Sequence, residues 1–142
     1  MIFFILTCVE MNNSTEQELY ELAMNILTEQ ELHHLAMNIV GKNLESDGFE
    51  FLSVNSNLKK NPQFVCLKEK KIHFIIVRAL KYPTDPNAIH DTILIEKVKN
   101  HALKFKAITY YAGVSLANAS DIEKPIINGE KYIVDYNGII EV

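Results

Sequence analysis

The sequence predicts an α/β (α+β) fold, a sandwich of three layers in which helices flank a central mixed sheet. Three observations predict it. Ile72–Leu80 (IHFIIVRAL) is an almost unbroken apolar run, the pattern of a strand buried on both faces. Thr28–Val40 places Leu32, Leu35, Ala36, Ile39 and Val40 on one helical stripe. A second helical pattern then joins Ile72–Leu80 to another apolar run, Ile108–Val114 (ITYYAGV). A right-handed crossover between two such strands makes them parallel neighbours.

The N-terminal helices come from a repeat. Thr15–Leu27 reads TEQELYELAMNIL and Thr28–Val40 reads TEQELHHLAMNIV, identical at ten of thirteen positions. Each copy opens T-x-x-E, the capping-box spacing, so Thr15 with Glu18 and Thr28 with Glu31 each start a helix. Thirteen residues at about 100° each leave a net rotation of about 220°. In one straight helix the two apolar stripes would face nearly opposite ways. The chain must therefore break near Thr28, or the first stripe must be covered by a second subunit or by the segment preceding it. A homodimer is the expected partner. The organisation expected is an extension over residues 1–27, carrying the duplicated helix, and one domain over 28–142.

Gly41 is the expected stop of the second helix. Asp47-Gly48 signals a turn. Phe49–Val54 follows as a strand, with Phe49, Phe51 and Ser53 on one side. Asn55–Asn61 is a polar loop, Pro62 opens a strand over Gln63–Lys68, and Glu69-Lys70-Lys71 turns it back into Ile72–Leu80 as a hairpin. Asp85 caps a helix with Pro86 at its first position. That helix runs to about Lys106, with Ile89, Ile93, Leu94, Val98, Ala102 and Phe105 facing inward. Asn137-Gly138, between Tyr132–Tyr136 and Ile139–Val142, signals a C-terminal hairpin. The expected order is helix, three strands, helix, strand and hairpin.

Composition narrows the function classes. The chain has 142 residues, 48% hydrophobic and 23% charged, which excludes a disordered polymer and fits one domain. Its two cysteines, Cys8 and Cys66, exclude a disulfide framework and a cysteine-rich metal site and suit a reducing interior. Met1–Val9 is apolar, but nine residues fall short of the roughly 20 a membrane helix needs. No Lys or Arg precedes that run and Glu10 follows it, a poor signal peptide. Residues 1–10 read either as an extra strand or as an extension ahead of a more typical start at Met11. A cytoplasmic location, with no membrane partner, is expected.

The net charge of −4 hides a division: Lys59–Lys106 carries 11 basic and 4 acidic residues, and the remainder is acidic. Lys59, Lys60, Arg78 and Lys81 are the candidate anion-binding residues. His33 and His34 lie about 100° apart on a helix, and His90 and His101 about 16 Å apart, so neither pair converges on a metal. Cys66 reads as a buried small hydrophobe. Tyr110 and Tyr111 point to opposite faces of their strand, one into the core and one free to stack on a ligand. Gly113 between buried neighbours marks a bulge or a close approach. No cofactor and no metal are expected.

The order of elements and the segments ELHHLAMNIVG and NPQFVCLKEKKIHFIIVRA resemble the restriction endonuclease-like fold with its PD-(D/E)XK motif. The resemblance covers about Thr28 to Val114. It implies a Pro-Asp opening the second strand, a Glu-x-Lys ending the next, and a Glu on the first helix. Pro62 matches, but Gln63 stands for the Asp, Ile76 for the second acid and Arg78 for the Lys; Glu31 keeps its place. An amide and an isoleucine cannot replace the anionic oxygens that hold a hard divalent cation, and Arg78 stays protonated and cannot act as a base. Glu50, Glu69, Asp91 and Glu96 are the nearby acids to which a relocated role could fall. The resemblance thus implies the fold without the chemistry: a binding or assembly module, with a divergent metal-dependent nuclease or a non-cleaving nucleic-acid binder as alternatives. The NPQFVCLK and YYAGV segments are also similar to those of small bacterial proteins, some labelled as a subunit of the sodium-pumping NADH–quinone reductase. That activity would need a ferredoxin-type cysteine set, a dinucleotide glycine fingerprint or a membrane span, and the sequence has none of them.

Overall fold

The structure, a computed structural model, describes residues 13–89 and 91–142. The expectations for Met1–Val9, Cys8, Met11 and His90 lie outside the described residues. The elements are α1 (Asn13–Met24), α2 (Glu29–Ser46), β1 (Glu50–Val54), β2 (Phe64–Lys68), β3 (Lys71–Lys81), α3 (Thr92–Leu103), β4 (Ile108–Asn118), β5 (Tyr132–Asp135) and β6 (Ile140–Glu141). They form a mixed sheet in the order β1-β2-β3-β4-β5, with β6 also on β4. β1, β2 and β3 are an antiparallel meander, β4 is parallel to β3, and β5 and β6 run antiparallel to β4.

β3 alternates its buried side chains between two cores, because successive residues point to opposite faces. Ile75 and Val77 pack with Ala36, Met37, Val40 and Leu44 of α2. Phe74 and Ile76 pack with Ile95, Val98 and Ala102 of α3. The helices therefore cover opposite faces of the sheet, and α2 begins, and α3 starts, beside the carboxyl ends of β3 and β4.

The repeat splits where expected. Thr28 Oγ1 accepts the Glu31 N–H at 3.1 Å and Glu31 Oε1 accepts the Thr28 N–H at 3.0 Å, a complete capping box. Just before it, Leu27 donates to Ile126 O and Asn128 donates to Asn25 O, so this stretch bridges to the 126–128 segment instead of continuing the helix. The first copy is already helical at Asn13, where the described residues begin, so Thr15 lies within the helix and not at its cap.

Several boundaries differ from expectation for physical reasons. Helix α2 passes through Gly41, whose missing side chain merely faces the Phe64 ring. It ends instead at a Schellman motif on left-handed Gly48 (φ 86°), with Phe49 N–H on Leu44 O and Gly48 N–H on Glu45 O. In β1, Leu52 is an extra residue in the pairing with β2; this bulge puts Val54, and not Ser53, on the side of Phe51. Helix α3 is capped by Asp91, whose Oδ1 accepts the Leu94 N–H at 3.0 Å. Asp85 caps only a local turn, accepting the Asn87 N–H. The inward stripe of α3 is narrow, so Ile93, expected inside, is 72% exposed; the helix ends at Leu103 and not at Lys106, so Phe105, also expected inside, falls in the following turn and is 53% exposed. The C-terminal strands do not form a hairpin. β5 and β6 both pair with the free edge of β4 and run the same way, as one edge strand interrupted near Gly138. Tyr136, in the interruption, donates its hydroxyl to Asn43 Oδ1 at 2.6 Å and ties this edge to α2.

Gly113 is a close approach, not a bulge. The 82–89 segment lies across β4, held by the Tyr82 N–H on Leu116 O and by the Ser115 hydroxyl on Thr84 O. A methyl group at Gly113 would sit 2.1 Å from the Pro86 carbonyl oxygen. Gly113→Ala is expected to cost about 2 kcal/mol or more, because backbone must move to admit the carbon. Denaturant unfolding checks this, and Ala112→Gly in the same strand serves as the comparison.

Candidate functional site

β2 is shorter than β3, and the mismatch organises the carboxyl end of the sheet. Gln63 donates its own N–H to Ile75 O at 3.1 Å, as the last rung of the β2–β3 ladder. Two residues on, Val77 of β3 has no strand beside it on that edge. Its buried peptide groups still need partners. The Gln63 side-chain Oε1 accepts the Val77 N–H at 2.8 Å. Arg78 Nη1 donates to Val77 O at 2.7 Å. The two motif positions thus complete the edge of β3 in place of a strand.

Gln63 is fully buried and fully used: Nε2 donates to Lys60 O at 2.9 Å and to Asn61 Oδ1 at 3.0 Å. Ile76 is also fully buried, against α3. Arg78 is half-buried, and desolvation holds its guanidinium below the usual arginine value, with Tyr111 and Asp91 acting in the opposite sense. Arg78 therefore differs from Lys59, Lys60 and Lys81, which are exposed near the same end of the sheet. Glu31 is exposed and occupied by its cap; the hydrogen bonds from Thr28 lower its carboxyl pKa. Among the acids with a possible relocated role, Glu69 sits in the β2–β3 turn and Glu50 opens β1, both at the opposite end of the sheet. Glu96 lies 3.8 Å from Lys99 on α3. Only Asp91 stands near Arg78, and its Oδ1 already caps α3. Among the described residues no three His, Cys, Asp or Glu side chains converge as a metal site.

The remaining candidates are structural. Burial pushes the Cys66 thiol up to about 11, far from a reactive thiolate. Tyr111 packs in the α3-side core and Tyr110 in the α2-side core, where its ring lies 5.5 Å from His73, so neither is free to stack on a ligand. Grooves open on the surface of the described residues. One, of about 460 Å³, runs between α2 and β1 past His34, Met37, Phe51, Val54 and Phe64. Another, of about 380 Å³, is lined by Leu32, Leu80, Lys81, Leu116 and Ile126. Neither contains Gln63, Ile76 or Arg78.

His33 is the feature the sequence reading missed. It is fully buried, and neither ring nitrogen has a hydrogen-bond partner. Burial first, then the positive charges of Arg78 and His34, hold its pKa below the usual histidine value. One signal was available: Tyr20/His33 is one of three positions at which the helix copies differ, and Tyr20 is 57% exposed.

Residues 30–142 match the family described as Domain of unknown function (DUF8840), and the chain belongs to that family. The match begins at the second residue of α2, so the first copy of the repeat precedes it. Comparison with curated proteins gives no match.

Two substitutions test these assignments. Gln63→Glu keeps an acceptor for Val77 but turns a carboxylate oxygen toward Lys60 O and Asn61 Oδ1. A loss of about 2–4 kcal/mol at neutral pH is expected. Part of it returns as the pH falls toward about 4 and the buried carboxyl takes a proton. Chemical denaturation across that range reads both effects. His33 binds a proton more readily unfolded than folded, so its contribution is full above about pH 6.5 and declines as the pH falls below that value. His33→Leu removes the unpartnered nitrogens. It is expected to cost less than about 1 kcal/mol at pH 7.5 and to flatten the fall in melting temperature between pH 7 and 5.

Proposed function

We propose that this member of the DUF8840 family is a non-catalytic domain of restriction endonuclease-like architecture that serves as a binding or assembly module. One observation carries the reading: Gln63 and Arg78, at two motif positions, are engaged with the buried peptide groups of Val77. Ile76, at a third, is an apolar core residue. A metal-dependent nuclease needs two anionic oxygen donors there to hold a cation and activate water. The helix–meander–helix–strand order, with helices on both faces of the sheet, supports the architectural part.

The assembly part rests on α1. Its Leu19, Tyr20 and Met24 are 36%, 57% and 69% exposed. Side chains of this size gain roughly 1.5–3 kcal/mol each on burial. A second subunit supplies the missing surface, and the module is a homodimer through this helix. Light scattering of the full chain is expected to give twice the monomer mass, and Met24→Asp to give monomer without loss of secondary structure. A monomeric full chain removes the dimer from the proposal.

The divergent-nuclease alternative draws only on Asp91 beside Arg78. Labelled single- and double-stranded DNA and RNA, incubated with Mn²⁺, are expected to remain intact at every protein concentration. Cleavage abolished by Asp91→Asn would replace the proposal with that alternative. Binding without cleavage, lost on reversing the charge of Lys59, Lys60 and Lys81, would make the module a nucleic-acid binder. Its affinity would then fall steeply with salt.

A further inference from the structure

The basic stretch from Lys59 to Lys106 does not form one surface. Lys59, Lys60 and Lys81 lie toward the carboxyl end of β3, whereas Lys68, Lys70, Lys71, Lys104 and Lys106 gather at its amino end. The parallel register pairs His73 with Ile108. The β2–β3 turn leads into Lys71, two residues before His73, and the α3–β4 turn leads into Ile108 itself. Two tight turns therefore end side by side. The β2–β3 turn holds Glu69 and Lys70 left-handed at φ 52° and 67°. The α3–β4 turn winds back on Ala102, whose carbonyl accepts from both Phe105 and Ala107, and Lys106 is left-handed at φ 54°.

What these turns present is mixed in a particular way. Lys70, Lys71, Lys104 and Lys106 are exposed, and no described carboxylate forms an ion pair with any of them. Glu69 is the acid within these turns; Glu50 opens β1 at the same end, on the far side of β2, and Glu141 influences Tyr110 on the other face. Lys68 is turned away, over the Phe49 ring at 4.7 Å. Among the four cations stand Leu103, 70% exposed, and Phe105, 53% exposed.

We infer that this end of the molecule is a docking surface for an anionic lipid bilayer. The cations meet the headgroup charge while Leu103 and Phe105 enter the acyl boundary, the two-part signature of an interfacial protein. A membrane suits the site, because two turn tips lie side by side and neither groove described above includes their residues. A nucleic-acid strand suits it less. Strand binding uses free ring faces along a channel, whereas Phe74, His101 and Phe105 pack on one another with centroids 5.3 to 6.0 Å apart. An exposed leucine offers a base nothing to stack on. The contact is peripheral, and no described helix is long and apolar enough to cross a membrane. The inference is independent of the function proposed above, since it uses none of the motif positions and none of α1.

Sedimentation of the full chain with sucrose-loaded vesicles tests it. Vesicles of phosphatidylcholine with about one-third phosphatidylglycerol are expected to carry the protein down at low salt, and pure phosphatidylcholine to leave it in solution. Raising the salt to about 0.5 M is expected to release it. Lys70→Glu with Lys104→Glu should lower the partition coefficient at least about tenfold. Leu103→Ser should lower it several-fold without changing the salt dependence. All three side chains are exposed, and a melting curve confirms that each variant is folded. Equal binding to both vesicles, no binding at low salt, or binding indifferent to these substitutions overturns the inference. So does a single-stranded oligonucleotide that binds more tightly than the vesicles and is lost on the same lysine changes; that result assigns the surface to nucleic acid.

Discussion

The peptide groups of Val77 are the constraint on which the carboxyl end of this fold depends. β3 is buried on both faces, so water cannot satisfy what its neighbours leave open. β4 runs the length of β3 on one edge, but β2 begins only at Phe64 on the other. An unsatisfied buried amide or carbonyl costs about 1–3 kcal/mol, a large share of the stability of a domain this size. Side chains close the gap: Gln63 reaches forward to the amide and Arg78 folds back onto the carbonyl. Gln63 then fixes the 60–61 turn through its other two bonds. A carboxylate at residue 63 could still accept from Val77, but it could not donate to Lys60 O and Asn61 Oδ1. The chemistry that would suit a cation is thus the chemistry this junction excludes.

The same topology sorts the charge. In sequence the lysines form one block, and a block of like charge invites a single binding surface. A meander followed by a parallel crossover sends consecutive turns to alternate ends of the sheet. The 55–61 loop and the 82–89 segment go to one end; the 69–70 turn and the 104–107 turn go to the other. The charge density read from the sequence is therefore about halved at each end. Exposed apolar side chains occur at both ends, Val54 and Ile93 at the carboxyl end and Leu103 and Phe105 at the amino end, but at the amino end they alternate in the chain with the lysines.

Much of this was legible in the sequence, and the reasons for the rest are local. Ile72–Leu80 announced a central strand because burial on both faces leaves only His73 and Arg78 as polar positions in the run. The capping box at Thr28 was legible because its two residues satisfy each other and need no tertiary partner. The Asn137-Gly138 signal misled. Gly138 does take a positive φ (90°), but the free edge of β4 was a better partner for both flanking segments than they were for each other. Asp85 and Asp91 are both competent caps followed by helix-compatible residues, and what separates them is tertiary: the segment around Asp85 is anchored on β4 through Tyr82, Thr84 and Pro86. At the motif positions, sequence established that Gln63, Ile76 and Arg78 could not do the expected chemistry. It could not show what Gln63 and Arg78 do instead, because their common partner is a backbone group with no sequence signature.

The duplicated helix makes the point most sharply, since the two copies hold nearly the same residues. Leu19 and Leu32 occupy the same place in the repeat, as do Met24 and Met37. Yet Met24 is 69% exposed and Met37 is in the core. Intrinsic propensity cannot separate them; the neighbours do, because α2 lies on β3 while α1 has no face of the sheet left to cover. One of the differing pairs follows this division. Tyr20 keeps a large amphipathic ring at an exposed position. At the equivalent buried position stands His33, small enough to fit beneath the helix but unable to find a partner for either nitrogen. A duplicated helix placed against a core must be altered to fit it. Here the second copy carries a polar ring inside, with neither nitrogen partnered, where the first copy carries a tyrosine in the open.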